Sequence, residues 1–445
     1  MNIAILYLII YLIVLAIITW RSSRGRNSSD YLNSSKKLTG WESSWTTFAS
    51  VLTGYNFVIG TTFAYLYGFW YLLAFLGAGG AFIVLYFMFK KRFSGLQKDF
   101  NLFSIGDYFG LQYGNFSKKL INVVLCASLI LFLILQIFVN TQLFSILLGI
   151  NKTLALLLTT GIVCAYLWLG GFKASIKTDI FQGLLMLPII LIVFFFPPHF
   201  SVDKLPMALD LSQLGFGIGL MLAQFLTLLA QAESFQRIFA ARDSIALKKG
   251  LISAFVLIVL IAGAIAYLGI NFKFAGVQMD PSSLFTVGVI GALPQWLGSL
   301  LLVSLIAAFM GTMDSSAFAL GVLLAGASNK PEKIAVRKTR YFMVGGIIVS
   351  ALASFYLFSF LSSVFALISL ISIIGTGLLI SFIIKKLRPF EINTFLIVGI
   401  ISFIVGLIYK FVTDNPLTTL IPSGIGLIAF LIARIYKRKE KNYGL

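Results

Sequence analysis

The sequence predicts an all-α polytopic membrane protein, and three observations carry that prediction. The 445 residues are 59% hydrophobic and only 11% charged, with a mean hydropathy of +0.98. Soluble domains carry about a quarter charged residues. Apolar runs of about 20 residues, enough to cross the hydrocarbon core, recur from end to end. Lysine and arginine cluster in alternate gaps between those runs. A transmembrane barrel would instead show alternating stretches of about 10 residues, which this sequence lacks.

The runs define thirteen expected spans, at roughly 3–20, 44–66, 68–89, 118–148, 152–169, 174–196, 213–236, 249–271, 293–327, 336–358, 362–385, 391–411 and 417–436. The first lacks a basic leading region and a small-residue cleavage site, and Trp20-Arg21-Ser22 follows it directly. It therefore reads as a span, not a signal peptide. With the N-terminus outside, the loops at 21–43, 90–117, 170–173, 237–248, 328–335 and 386–390 and the C-terminal tail face the cytoplasm. Allowing a few residues at each helix end, of the 34 Lys and Arg only Lys152, Lys204, Lys273 and Lys410 fall on the other side. That is the positive-inside pattern, and shifting the count by one span would scramble it. The net charge of +19 is thus a topology signal of a multi-pass cell (inner) membrane protein, not a nucleic-acid footprint. The tail RIYKRKEK belongs beside anionic lipid. Cys126 and Cys164 lie inside spans and match no metal spacing, so packing is their expected role. His199, after Pro197-Pro198, has no partner nearby in sequence. No nucleophile–base or metal-cluster arrangement appears, so no enzyme is expected.

In lipid the polar residues are the informative ones. The second span places Thr53, Gly54, Tyr55 and Asn56 at mid-depth, with Gly60 further on. Gly and Thr are weak helix formers, so the helix can open there and free carbonyls for a hard cation or a substrate. A Gly/Thr packing surface is the alternative. In the ninth span Ala308, Gly311, Thr312 and Ser315 share one helical face, with Asp314 on its flank. Hydroxyls are uncharged oxygen ligands, and Na⁺ prefers an all-oxygen shell. A cation site between spans two and nine follows. Hydroxyls bonding back to helix carbonyls are the alternative, but they leave Asp314 unexplained. Asp179 stands beside Lys173 and Lys177, with a lysine partner or the Ser315 face open to it. Glu233 and Arg237 have the spacing of a helical ion pair. GFGIG at 215–219 follows no strand and is no dinucleotide loop. FLGAGGAF at 75–82 suits close helix packing.

Three segments carry a family resemblance: AAFMGTMDS (307–315), GGFKASIKTDIFQ (170–182) and QRIFAARDSIALKKG (236–250). They resemble, in order, the A-A-x-M-S-T-x-D-S, G-G-x-x-A-x-x-x-T-D-x-x-Q and Q-R-x-x-A-A-K-S/D…A-x-x-G segments of the sodium:solute symporter family. The resemblance implies the leucine-transporter fold, a 5+5 inverted repeat with about 13 transmembrane helices. A leading helix and loop (1–43) would precede repeats at 44–202 and 203–390, and two C-terminal helices with a basic tail (391–445) would follow. It implies a main Na⁺ site from Ser50, Thr53, Ala308, Gly311 and Thr312. Asp179, Asp314 and Ser315 would offer a second cation contact. Asn56, Phe57, Gln136, Gln224 and Thr227 would meet the substrate. One position departs from the pattern: Gly311 stands where the family has Ser, so one side-chain ligand is missing. The function implied is Na⁺-coupled symport of a small organic solute, such as a sugar, amino acid or vitamin, with Na⁺ as coupling ion. A proton-coupled or uncoupled transporter of the same fold, with Asp314 or Asp179 titrating, is the nearest alternative. A non-transporting membrane sensor is the more distant one.

Overall fold

The computed structural model describes residues 3–24, 28–33, 37–93, 95–96, 102–199, 210–280, 283–329, 331–356, 360–384, 386–410 and 415–443. Lys204 and the side chains of the basic tail from 437 onward lie outside the described residues. The described chain is helical, with a single isolated bridge, Leu38 to Ala241, and no strand.

Helix α1 (Ile3–Ser23) leads. Helix α2 (Gly40–Val51) starts at a capping box, in which Thr39 Oγ1 accepts from the Glu42 amide and Glu42 accepts from the Thr39 amide. It stops at Leu52 and Thr53, both extended, and α3 (Gly54–Tyr67) begins directly after them. The break sits at the Thr-Gly pair, where helix propensity is weakest. A close approach also requires Gly54, because a Cβ there would stand 2.3 Å from the Phe309 ring. Helices α4 (Leu73–Met88) and α5 (Asn115–Leu148) follow.

Helix α6 (Lys152–Met186) is bent at Gly171, whose φ of 60° and ψ of −156° only glycine adopts without strain. A Cβ there would lie 2.4 Å from the Tyr31 ring. Helix α7 (Leu214–Ala230) breaks at Gln231, whose ψ is 118°, before α8 (Ala232–Ala240). Then come α9 (Ser244–Phe274), α10 (Gln295–Ala325), α11 (Glu332–Ser354), α12 (Phe360–Ile383), α13 (Pro389–Ile408) and α14 (Ile421–Tyr443).

Ten stretches among the described residues are long and apolar enough to cross a membrane, against thirteen expected spans. Two of them, Gly54–Phe93 and Lys152–Phe195, are near-continuous helix where the hydropathy pattern suggested two spans each. Helix α11 is not among the ten, since its first half carries Glu332, Lys333, Arg337, Lys338 and Arg340. Helix α10 runs through the centre: every residue from Val303 to Leu323 is buried, against α1, α5, α6 and α11 as well as the α2–α3 break. This enclosure explains its polar residues, which face protein and not lipid.

Candidate functional site

The two interrupted helices meet. Gln231, at the α7–α8 break, donates from Nε2 to the Ser50 carbonyl near the α2–α3 break, at 3.1 Å. Thr53 is held by Asn56, whose Oδ1 accepts from the Thr53 amide at 2.8 Å and from its hydroxyl at 3.0 Å. The Phe309 ring of α10 closes over Gly54. Spans two, seven and nine are thus brought to one point. Thr312 Oγ1 lies 3.1 Å from both the Ala308 and Phe309 carbonyls, so it bonds back to its own helix. A cation here would exchange with the Gln231 and Thr312 hydrogen bonds, groups that are all oxygen-bearing and close at hand.

Beside the breaks lies a cavity with room of about 100 Å³, lined among others by Tyr55, Asn56, Phe132, Gln224, Thr227 and Glu233. Asn56, Gln224 and Thr227 therefore face it. Phe57 and Gln136 do not line it: Phe57 packs edge-on against Phe285 at 5.5 Å, and Gln136 is wholly buried. Sequence reasoning missed Tyr55, Gln231 and Glu233 as cavity residues. The signal was a second polar cluster, Gln231-Ala232-Glu233, at the depth where span seven breaks.

One step further along α10 is a buried charge cluster. Arg237, fully enclosed, donates from Nη2 to Asp179 Oδ2 and to Ser315 Oγ, each at 2.7 Å. Its Nε donates to Thr46 Oγ1 at 2.7 Å, and Thr46 in turn donates to Asp179. Its Nη1 takes the Glu233 carbonyl at 2.9 Å, while the Glu233 carboxylate accepts from Ser316. The expected helical side-chain pair between Glu233 and Arg237 is thus replaced by longer-range contacts. The neighbouring lysines also go elsewhere: Lys177 to Glu42 at 2.7 Å and Lys173 to Asp30 at 3.4 Å. Asp179 and Ser315 are brought together, with the guanidinium between them.

Asp314 turns away from this group toward α6. Its Oδ2 accepts from Tyr166 at 3.0 Å and its Oδ1 from Ser175 at 3.1 Å, with Thr178 and Ser315 hydroxyls within 3.3 and 3.1 Å. Four hydroxyls around one carboxylate are what offsets its burial. Among the described residues no group of three or more His, Cys, Asp or Glu is placed to hold a metal ion. Cys126 and Cys164 are free and half-buried.

Interrupted helices that meet beside a polar cavity are the architecture of the leucine-transporter fold. Residues 31–202 match the model of the sodium:solute symporter family, so the resemblance read from the sequence holds over that segment. The sodium/pantothenate symporter of Haemophilus influenzae is 32% identical over 191 residues, and that of Escherichia coli 28% over the same length. Each match covers 41% of this chain and 39% of the relative, so the chain matches well under half the length of either curated relative. Over the whole length, the solved structure of a substrate-bound, outward-open Na⁺-coupled sialic acid symporter superposes with a TM-score of 0.75 at 20% identity, covering 97% of both chains. A nucleobase-cation-symport-1 family transporter in a closed conformation gives a TM-score of 0.53 at 12% identity over 93% of this chain and 96% of that one. These relatives are transporters, and the structural likenesses are of fold.

Proposed function

We propose that this protein is a secondary active transporter that couples inward Na⁺ movement to uptake of a small organic solute by alternating access, and is not an enzyme. The carrying observation is the junction of the two broken helices, Gln231 on Ser50, beside the cavity bearing Asn56, Gln224, Thr227 and Glu233. The main Na⁺ site would use the carbonyls of Ser50, Thr53 and Ala308 with Thr312, and residues 44–202 and 203–390 would form the two inverted repeats. Asp179, Asp314 and Ser315 would form the region of a second cation contact, where Arg237 now bridges Asp179 and Ser315. The solute would be a sugar, amino acid or vitamin held by neutral polar groups, an aromatic wall and Glu233. Phe57 and Gln136 would support that wall from behind. A cavity of about 100 Å³ is small against the ~300–1,000 Å³ of ligand pockets, so helices must part for entry. The electrical drive is about 2.3 kcal/mol per charge per 100 mV. Thirteen spans would place the N-terminus outside and the tail in the cytoplasm of a cell membrane.

Proteoliposomes loaded against panels of labelled sugars, amino acids and vitamins test this, with Na⁺, K⁺ and pH gradients imposed separately. Na⁺ should stimulate uptake, and Thr312→Ala and Asp314→Asn should weaken the stimulation. The second reading, proton coupling, is favoured by three buried carboxylates, Asp179, Asp314 and Glu233, against one buried Arg237. Uptake following the pH gradient and ignoring Na⁺ would establish it instead.

A further inference from the structure

Gly311 lacks the hydroxyl that the sequence pattern led one to expect. The space of that side chain is filled: a Cβ on Gly311 would stand 2.4 Å from Gln182 Oε1 and 3.8 Å from Asp179 Oδ1. Both oxygens are buried and neither has a hydrogen-bond partner, although Gln182 and Asp179 are each wholly enclosed. The remaining polar atoms of the two side chains are committed. Gln182 Nε2 donates to Tyr11 Oη at 2.9 Å, and Tyr11 donates onward to Met310 Sδ at 3.7 Å. Stacking of Tyr11 on Phe181, with ring centroids 5.8 Å apart, fixes the hydroxyl. Since the Tyr11 proton goes to sulfur, the hydroxyl accepts from the amide, which turns Oε1 toward Gly311. Asp179 Oδ2 is taken by Arg237 and Thr46, leaving Oδ1.

Both orphaned acceptors border Gly311, and each carries a desolvation cost that a donor or a cation would relieve. The surrounding cluster has three carboxylates, Asp179, Asp314 and Glu233, against one guanidinium, Arg237. That excess of acid favours a cation over a neutral donor. A carboxamide oxygen and a carboxylate oxygen are the hard oxygen ligands that suit Na⁺. We infer that Gln182 Oε1 is a Na⁺ ligand that replaces the hydroxyl missing at 311, with Asp179 Oδ1 beside it. This rests on the Na⁺-coupled reading above. A side chain at 311 would have to shift the amide from this position, its Cβ standing 2.4 Å from Oε1. The ligand then comes from the facing helix α6, and Gly311 leaves the room that its amide fills.

The test is Na⁺ binding to the purified full chain in detergent, by titration calorimetry and thermal shift with NaCl against choline chloride at constant ionic strength. Wild type should show saturable Na⁺ binding. Gln182→Leu should weaken it by about tenfold or more, as loss of one ligand implies, while the protein elutes as a monodisperse species. Gly311→Ser alone should weaken it as well, because its Cβ evicts the amide. The Gly311→Ser/Gln182→Ala pair should recover to within about threefold of wild type, a hydroxyl standing in for the amide. Unchanged affinity in Gln182→Leu, or a double variant no better than Gly311→Ser, would overturn the assignment and leave the coupling reading intact. Absence of Na⁺ binding in wild type would remove the coupling reading itself.

Discussion

Arg237 carries more of this protein's centre than its sequence position suggests. It is a guanidinium without water, held by Asp179, Ser315, Thr46 and the Glu233 carbonyl. Removing one partner of such a pair costs about 3–5 kcal/mol, because the other charge is left buried. Arg237→Met should therefore lower the melting temperature in detergent sharply, and Arg237→Met/Asp179→Leu should recover part of the loss. If the double variant melts below Arg237→Met, the two charges are not paired as described. The sequence marked Asp179, Asp314 and Glu233 as residues needing explanation, since charge in an apolar run always does. It could not assign their partners. Arg237 and Asp179 are 58 residues apart, and the local spacing pointed to Glu233 and to the nearby lysines instead. Gln182 was not singled out, although it closes the segment GGFKASIKTDIFQ. Its meaning needed α6 laid against Gly311.

At the scale of elements, the breaks were the most readable feature. Thr53-Gly54 and Gly170-Gly171 are weak helix formers set in strong apolar runs, and the chain breaks or bends at both. The Gln231 break was not readable, because Gln and Ala are good helix formers and tertiary contacts open the helix there. Gly171→Ala should cost about 1–3 kcal/mol, from the positive φ and the Tyr31 ring in its path, read as a lowered melting temperature. An unchanged value would mean that the α6 bend is not glycine-dependent. In the first turn of α2, burial raises the Glu42 carboxyl, but hydrogen bonds from Lys177 and Thr39 and the lysine's charge outweigh it and hold it below its ordinary value. A lowered folded value means that the Glu42–Lys177 contact supports α2 on α6 above the unfolded value, about pH 4.3. It is lost as pH falls through the folded one. Glu42→Gln should accordingly lower the melting temperature at pH 7, and the gap to wild type should close on acidification toward pH 3.

For the whole molecule, the arrangement of charge and the meeting of broken helices point the same way. The expected orientation rests on lysine and arginine responding to the membrane's sidedness, and the membrane-crossing helices were legible from hydropathy. The boundaries between adjacent spans were less so, since Gly54–Phe93 and Lys152–Phe195 continue as helix through their turns. The charged start of α11 also falls outside any hydropathy rule. A fluorescent protein fused after Leu445 should fold and fluoresce in cells, as a cytoplasmic C-terminus requires, whereas an exported alkaline phosphatase fusion at the same point should be inactive. The reverse pattern would invert the topology. Coupling itself is tested most directly by reciprocity, since an ion that drives a solute must be driven by it. Once uptake panels supply a transported solute, an inward gradient of that solute is imposed on proteoliposomes with equal ²²Na⁺ on both sides. The expected result is transient ²²Na⁺ accumulation inside, reduced in Thr312→Ala. Solute entry with no net ²²Na⁺ movement would contradict Na⁺-coupled symport.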